Sequence, residues 1–242
     1  MMSKVSAVET LKVKRPPGRR KTVQNEVLAK LRTALMSGAL VPGQVMSLRK
    51  LAVSFGTSPM PVRAALMQLV AAGALEEGSN RSVRVPRLSK SRMVELFEIR
   101  VMLEGMAGKL ACERASVKLL DRLTRINKEL LSAIAKHKVQ ECLQANRRFH
   151  FTLYEASESE VLMPLIESLW LQCGPALYYS LLAPGKPWDA AIHVEILAAL
   201  KKRKPNLVEA AVVRDVRFTA KNLLIGVANG SAHHAFNSSV DF

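Results

Sequence analysis

The strongest constraint on the fold is the periodicity of the apolar residues after Ser91. They recur every three or four positions, and the strict alternation typical of a strand is almost absent. The periodicity is interrupted near residues 115–116, 137, 157–159, 174–175, 184–185 and 201–205. This pattern predicts about six helices, and their short connections favour antiparallel neighbours. We therefore expect an all-α antiparallel helical bundle over residues 89–230, followed by a disordered tail over 231–242.

The first third of the chain has a different pattern, with three shorter helices. They are predicted to run from the cap at Thr22 to the stop at Gly38, from Leu48 to Phe55 behind the cap at Ser47, and onward from Ser58 and Pro59. The last two are separated only by the tight turn Gly56-Thr57. Two short helices joined by a glycine turn are typical of the helix-turn-helix, whose second helix sets its first turns into the major groove.

A hairpin is predicted after the third helix. Residues 73–76 and 82–85 can pair around the turn 78–80, with Val83 and Val85 facing inward. Arg81 at the tip is placed to enter a minor groove or to contact phosphate. The predicted fold class is therefore mainly α, with an N-terminal winged helix-turn-helix over residues 22–88 in front of the helical bundle.

The positive charge is concentrated in the first third. The whole chain carries 36 Lys and Arg against 20 Asp and Glu, which gives a formal charge of +16. Residues 1–90 hold 16 cations and 4 anions, a net +12. Residues 1–21 have the composition of a flexible basic arm. An excess of this kind indicates a polyanionic partner, and with a helix-turn-helix that partner is double-stranded DNA.

The composition argues against membrane and secreted proteins. The longest uncharged stretch, between Glu167 and Lys186, is broken by glycines and prolines, and the first 21 residues contain no apolar signal segment. The three cysteines are widely separated, with no CxxC spacing, which favours reduced thiols over a disulfide or zinc framework. We therefore expect a cytoplasmic protein without a membrane partner.

Four polar residues fall on apolar stripes of the predicted bundle: Asn146, His150, His193 and Asp215. A hairpin turn near Arg203 would bring the last two to the same height, because both lie roughly 15–18 Å from it along their helices. Two imidazoles, a carboxylate and an amide suit a divalent transition metal such as Zn, Ni or Mn, with open positions for the carboxylate of a ligand. The alternatives are four separately satisfied polar residues, or a hydrogen-bonded network without metal.

Arg100 and Glu104 lie one turn apart on the first helix of the bundle. They are candidates for effector binding, since Arg100 could bind an anionic ligand. The alternative is a simple intrahelical ion pair.

The N-terminal third resembles the winged-helix domain of GntR-type bacterial transcription regulators. The resemblance covers residues 23–86 and depends on the segments Gly38-X-Leu40-X-Pro42-Gly43, Leu48-Arg49-Lys50-Leu51-Ala52, Phe55 to Leu66, and Leu69-X-X-X-Gly73-Ala74-Leu75. It implies DNA contacts at Arg49, Ser58, Met60, Arg63, Asn80 and Arg81. Pro59 stands where the family commonly has an arginine, so the operator sequence does not follow by analogy.

The bundle resembles the FCD effector domain of the FadR-like branch of that family. The resemblance depends on the segments Arg100-X-X-X-Glu104, Asn146 to Ala156, and His193 to Leu200. The resemblance implies a metal bound by an Asp, a His one turn later and two further His, which helps to hold a small organic acid. Here the first position is Asn146 and the last is Asp215, so that only His150 and His193 match.

These features predict a homodimeric DNA-binding regulator whose helical domain binds a small organic-acid effector and thereby changes operator affinity. A dimer is expected because a single winged helix reads only a few base pairs. Two alternatives are a metal-dependent helical-bundle enzyme with His150, His193 and Asp215 as ligands, and an architectural DNA-binding protein without a sensor. The enzyme would leave the basic winged helix unexplained, and the architectural protein would need no inward polar cluster.

Overall fold

A computed structural model describes residues 19–78, 82–181 and 190–228, with side chains from Thr22 to Val227 within those ranges. The helices are α1 Arg19–Met36, α2 Leu48–Ser54, α3 Pro59–Ala71, α4 Lys90–Glu113, α5 Val117–Ala135, α6 Val139–Glu155, α7 Leu162–Cys173, α8 Leu177–Ser180, α9 Ala191–Lys201 and α10 Pro205–Ala228. A single 3-10 turn, Gly174–Ala176, joins α7 to α8. The strands are β1 Val45–Met46, β2 Glu76–Glu77 and β3 Val83–Arg84. The basic arm before residue 19 and the tail after residue 228 lie outside the described ranges.

The N-terminal region is a winged helix-turn-helix. The side chain of Ser47 accepts from Lys50 N at 3.4 Å and caps α2, and the prolines at 59 and 61 fall in the first turn of α3, where no helical N–H is needed. The stripe of α3 that faces inward is buried: Val62, Ala65, Leu66 and Leu69. The predicted second and third helices are confirmed to within a residue at their starts.

Two details of this region differ from the sequence prediction. The helix α1 begins at Arg19, so Thr22 is not its cap. The basic residues ahead of Thr22 are good helix formers, and nothing in them stops the helix. The sequence pattern also missed β1, which pairs with β3 to give the antiparallel order β1-β3-β2, with Val45 opposite Arg84. Two residues are too few to show an alternating pattern.

The C-terminal region is the predicted all-α bundle. The helices α4 and α10 run antiparallel in close contact, because Gly105 and Gly108 of α4 leave room for valines of α10: an added Cβ at either glycine would lie 2.9 Å from a valine methyl. Helix ends fall near the predicted interruptions, with Ser116 capping α5 and His137 in the left-handed region at φ 54°. The predicted interruption at residues 184–185 lies outside the described residues. Seven helices, including the single-turn α8, are described here against the six expected.

Cys112, Cys142 and Cys173 are buried and unpaired, in agreement with the thiols expected from the sequence. In the described ranges, none of the helices combines the length and hydropathy required to cross a bilayer.

Candidate functional site

Three buried side chains from separate helices converge inside the bundle. His150 of α6, His193 of α9 and Asp215 of α10 are 2%, 1% and 6% exposed. The Nε2 atom of His150 lies 3.1 Å from Asp215 Oδ2 and 3.3 Å from His193 Nε2. The Nε2 atom of His193 lies 3.9 Å from Asp215 Oδ1. The turn between α9 and α10 thus brings His193 and Asp215 to the same height, opposite the inward face of α6.

The orientation of both imidazoles is set by hydrogen bonds on their far sides. The Tyr154 hydroxyl donates to Glu104 Oε2 at 2.7 Å, so its oxygen accepts from His150 Nδ1 at 3.0 Å. His193 Nδ1 lies 3.2 Å from Asn127 Oδ1, which can only accept. Both Nδ1 atoms therefore carry a proton, and both Nε2 atoms point into the cluster. Ligating histidines are usually held by an outer partner in this way.

The electrostatics of the cluster favour a cation at its centre. Burial lowers the pKa of His193 to about 3, the Asp215 carboxylate acting in the opposite direction and His150 adding to the lowering, so its Nε2 carries a lone pair at neutral pH. Burial alone would raise the pKa of Asp215, but the hydrogen bond with His150 and the neighbouring His193 and Arg100 hold it below its ordinary value. The Asp215 carboxylate and the lone pair of His193 Nε2 therefore face the same point, and a divalent metal ion placed there would be attracted by both.

Asn146 lies one helical turn before His150 on the buried face of α6 and is 5% exposed. Its Oδ1 is buried and has no hydrogen-bond partner among the described residues. An unsatisfied buried carbonyl costs about 1–3 kcal/mol, so a ligand for it is expected on physical grounds. No contact joins Asn146 directly to the other three residues in the described hydrogen bonds and ion pairs.

The residues present fit a divalent transition metal. His150, His193 and Asp215 each offer one ligand atom, and these atoms lie within 4.8 Å of one another. Two imidazole nitrogens and a carboxylate oxygen suit Zn, Ni or Mn and leave positions open, one of which the Asn146 carbonyl could fill.

Arg100 and Glu104 are buried and bound to each other. Arg100 Nε donates to Glu104 Oε1 at 2.6 Å, and the guanidinium lies against the rings of Phe97 and Trp170 at 4.6 and 4.5 Å. Glu104 also accepts from Trp170 Nε1 at 3.0 Å, in addition to the Tyr154 hydroxyl. The geometry is that of the intrahelical ion pair, extended into a network that reaches His150 through Tyr154.

The sequence reasoning missed three residues of this network: Asn127, Tyr154 and Trp170. One signal was available for Tyr154, which follows His150 by four residues and so lies on the same face of α6. No comparable signal existed for Asn127 and Trp170, because they reach the site from α5 and α7 through tertiary packing.

The candidate DNA-facing residues lie at the surface of the helix-turn-helix. Arg49 on α2 and Ser58 and Arg63 around α3 are exposed, and Met60 is 72% exposed. The Ser58 hydroxyl makes no capping hydrogen bond, and neither arginine has an ion-pair partner in the described part of the chain. Asn80 and Arg81, at the predicted wing tip, lie outside the described residues. On the neighbouring strand, Arg84 is already paired with Glu76 at 2.6 Å.

A winged helix-turn-helix in front of a helical bundle with a buried polar cluster defines a class of bacterial transcription regulator. Residues 23–85 match the bacterial regulatory proteins of the gntR family, and residues 95–218 match the FCD domain. The chain belongs to the GntR family and carries an FCD effector-binding domain. It is a DNA-binding transcription regulator and not an enzyme, and the enzyme alternative is therefore wrong.

The chain is similar to several regulators of this family. It is 34% identical to the HTH-type transcriptional regulator McbR of Escherichia coli K12 over 177 residues, 72% of this chain and 80% of that protein. The structure of E. coli McbR/YncC superposes with a TM-score of 0.77, at 29% identity, covering 86% of this chain and 98% of that one. The probable D-xylose utilization operon transcriptional repressor of Paenarthrobacter nicotinovorans is 28% identical over 81% of this chain and 87% of its own length.

Proposed function

We propose that this regulator senses a small organic acid through a divalent metal held by His150, His193 and Asp215, with the Asn146 carbonyl as a further ligand. The observation that carries the proposal is the convergence of two oriented Nε2 atoms on one buried carboxylate. A metal bound there would supply a positive centre for the carboxylate of the effector. The chain's own residues orient the imidazoles, exclude water and provide a single negative charge.

The net positive charge of a metal-loaded site would determine which class of ligand binds there. A divalent ion with one carboxylate and neutral donors keeps a net charge of about +1, which an anionic ligand would neutralise in a medium of low dielectric constant. Arg100 would bind an anionic ligand only if its ion pair with Glu104 were broken, because its Nε and Nη2 atoms already donate to that carboxylate. We therefore expect the metal to be the main ligand of the effector carboxylate. Arg100 and Glu104 would then act only through their hydrogen-bonded network beside the site.

The metal proposal is tested on purified full-length protein stripped with EDTA and titrated with Zn²⁺, Ni²⁺ and Mn²⁺ in a calorimeter. We expect one site per chain in the wild type and its loss in His150→Ala and Asp215→Asn. His137→Ala is the matched control, since His137 is exposed in the turn before α6. Equal binding by the wild type and by both site variants would contradict the proposal. A thermal-shift screen of organic acids on the metal-loaded protein then tests the ligand class.

DNA binding is proposed to use the exposed first turn of α3 in the major groove. Arg49 and Arg63 would donate to guanine edges or phosphates, Ser58 and Met60 would contact the groove beside them, and Asn80 and Arg81 would form the tip of the wing. A cytoplasmic location follows from a partner that is chromosomal DNA. A duplex selected by the protein from a random pool provides the probe. Arg63→Ala should weaken its binding, with Arg125→Ala on α5 as a charge-matched control.

A homodimer is proposed because paired half-sites supply affinity and spacing that one winged helix lacks. A stripe of apolar residues on α4 is exposed: Ile99, Met102 and Met106, at helical spacing, are 42%, 63% and 51% exposed. This stripe is the surface on which we expect a second copy of the chain to pack. Light scattering on Met102→Lys compared with the wild type tests this face.

A further inference from the structure

The DNA-binding region is docked on the bundle through α7. Glu167 of α7 pairs with Arg32 of α1 at 2.6 Å, with both side chains about one-third exposed. Directly after α7, the backbone of Gly174 presses against the end of α1: an added Cβ would lie 2.5 Å from Leu35 O and 2.7 Å from Met36 Cα. Both obstacles are backbone atoms, so no side chain could be accommodated without moving α1. The contact therefore fixes the end of α1 relative to α7.

Gln172 of the same helix lies beside the turn that follows α3. Gln172 accepts from Arg92 at 3.0 Å and lies 3.9 Å from the Cβ position of Gly73. Gly73 has φ 68° and follows the last residue of α3 by two positions. A shift of α7 would therefore act on α1 directly, and on the turn that follows α3 through Gln172 and Gly73.

The buried face of α7, one turn after Glu167, touches the candidate metal site. Trp170 is 1% exposed, its Nε1 donates to Glu104 at 3.0 Å, and its ring centroid lies 5.7 Å from that of His150. Glu104 in turn accepts from Tyr154, the residue that orients His150. A buried indole N–H cannot cheaply lose its acceptor. Any rearrangement of Glu104 or His150 on ligand binding must therefore be followed by Trp170, and with it by α7.

We propose that α7 with the Gly174 turn, here called the α7 strut, couples occupancy of the metal site to the position of the DNA-binding helices. This inference rests on the proposed function, because it needs a ligand at the cluster. The ligand would favour one placement of Trp170, and the strut would convert that preference into a preference for one orientation of α1 and α3. Only such a difference in affinity between two arrangements can shift the equilibrium between them.

A second route runs through α6, which also contacts the end of α1. Gln140 donates to Ser37 O at 3.3 Å, and a methyl of Leu143 lies 3.1 Å from the Cβ position of Gly38. Gln140 and Leu143 lie near the start of α6, about two to three turns before His150. Neither touches the network around Glu104 in the described contacts. We therefore expect this second contact to hold the two regions together without transmitting the state of the site.

The test measures thermodynamic coupling on the full-length chain. The affinity for a duplex selected from a random pool is measured by fluorescence anisotropy with and without saturating Zn²⁺, and Zn²⁺ affinity is measured separately by calorimetry. In the wild type the two duplex affinities should differ by about 5–150-fold, the usual range of allosteric coupling. In Trp170→Phe and Gly174→Ala the ratio should fall to within about twofold of one.

The controls separate the strut from general damage to the fold. Gly108→Ala is the glycine control, since its added Cβ would also be crowded, at 2.9 Å from a methyl of Val212, and its nearest neighbours all belong to α10 rather than to α1 or α7. It should keep the wild-type ratio, and so should Gln140→Ala. Arg32→Glu and Glu167→Arg should each reduce the coupling, and the double variant, which restores the ion pair in reverse, should recover it.

The outcomes distinguish this inference from the function on which it rests. Wild-type protein that binds no Zn²⁺ overturns both. Wild-type protein that binds Zn²⁺ without a change in duplex affinity overturns the α7 strut and leaves the metal site standing. If Trp170→Phe and the single charge reversals keep the wild-type ratio of duplex affinities, the α7 strut is also overturned. If Gln140→Ala abolishes the coupling, the α7 strut is overturned and the path runs through α6.

Discussion

The hydroxyl of Tyr154 makes a sharp test of how the cluster is held, because its removal changes one atom in a fully buried position. Tyr154→Phe leaves His150 Nδ1 without its acceptor and Glu104 without one of its three donor residues. Each unsatisfied buried group costs about 1–3 kcal/mol, so the free energy of unfolding of the metal-free protein should fall by about 2–6 kcal/mol. At about 2–4 °C per kcal/mol for a chain of this size, Tm should drop by about 4–24 °C.

The same change should weaken metal binding, because the imidazole of His150 is no longer oriented. Loss of an outer hydrogen-bond partner typically lowers metal affinity by about 10–100-fold. Differential scanning calorimetry of the stripped protein and Zn²⁺ titration of the folded variant measure the two effects. Tyr178→Phe is the control, since that side chain is partly exposed on α8. A Tyr154→Phe protein with unchanged Tm and unchanged Zn²⁺ affinity would refute the reasoning.

Three further predictions concern the other surfaces of the molecule. Zn²⁺ at 100 times its Kd should stabilise the wild type by about 2.7 kcal/mol and leave Asp215→Asn unaffected in thermal unfolding. Arg63→Ala should reduce the slope of log affinity against log salt by about one if Arg63 binds a phosphate, measured by anisotropy over a salt series; an unchanged slope together with unchanged affinity removes Arg63 from the interface. Met102→Lys should convert a dimer to a monomer in light scattering, and a dimer that persists excludes that face of α4.

The sequence predicted those parts of the fold that are governed by local periodicity. The helix cap Ser47 and the two prolines at the start of α3 act through neighbouring backbone groups and can be predicted from a few residues. The strand β1 could not be predicted in this way, because its two residues form a strand only by pairing with β3. The start of α1 was misplaced since Thr22 resembles a cap, whereas the helix continues through the basic residues before it.

The candidate site was accessible to sequence reasoning because a polar residue on an apolar stripe is conspicuous. His193 and Asp215 each broke such a stripe, and the length of the α9–α10 hairpin fixed their relative height. What the stripe could not show is which buried polar groups pair with each other. Arg100 and Glu104 were as conspicuous in the sequence as the residues of the cluster. Only the structure shows that Trp170 and Tyr154 donate to Glu104, so that the ion pair belongs to a hydrogen-bonded network beside the site.

The exchange of ligand types within the cluster has a consequence for its electrostatics. The resemblance to the FCD family implies one Asp and three His, and this chain replaces them with Asn146, His150, His193 and Asp215. Both sets contain one carboxylate, so the charge available to a divalent ion is the same, although it has moved from α6 to α10. Because Asp215 lies 3.1 Å from His150, the carboxylate remains within the cluster after the move. A metal-bound site in this chain would therefore keep the net positive charge that draws an anionic effector, while its negative ligand would belong to α10, the helix that packs along α4.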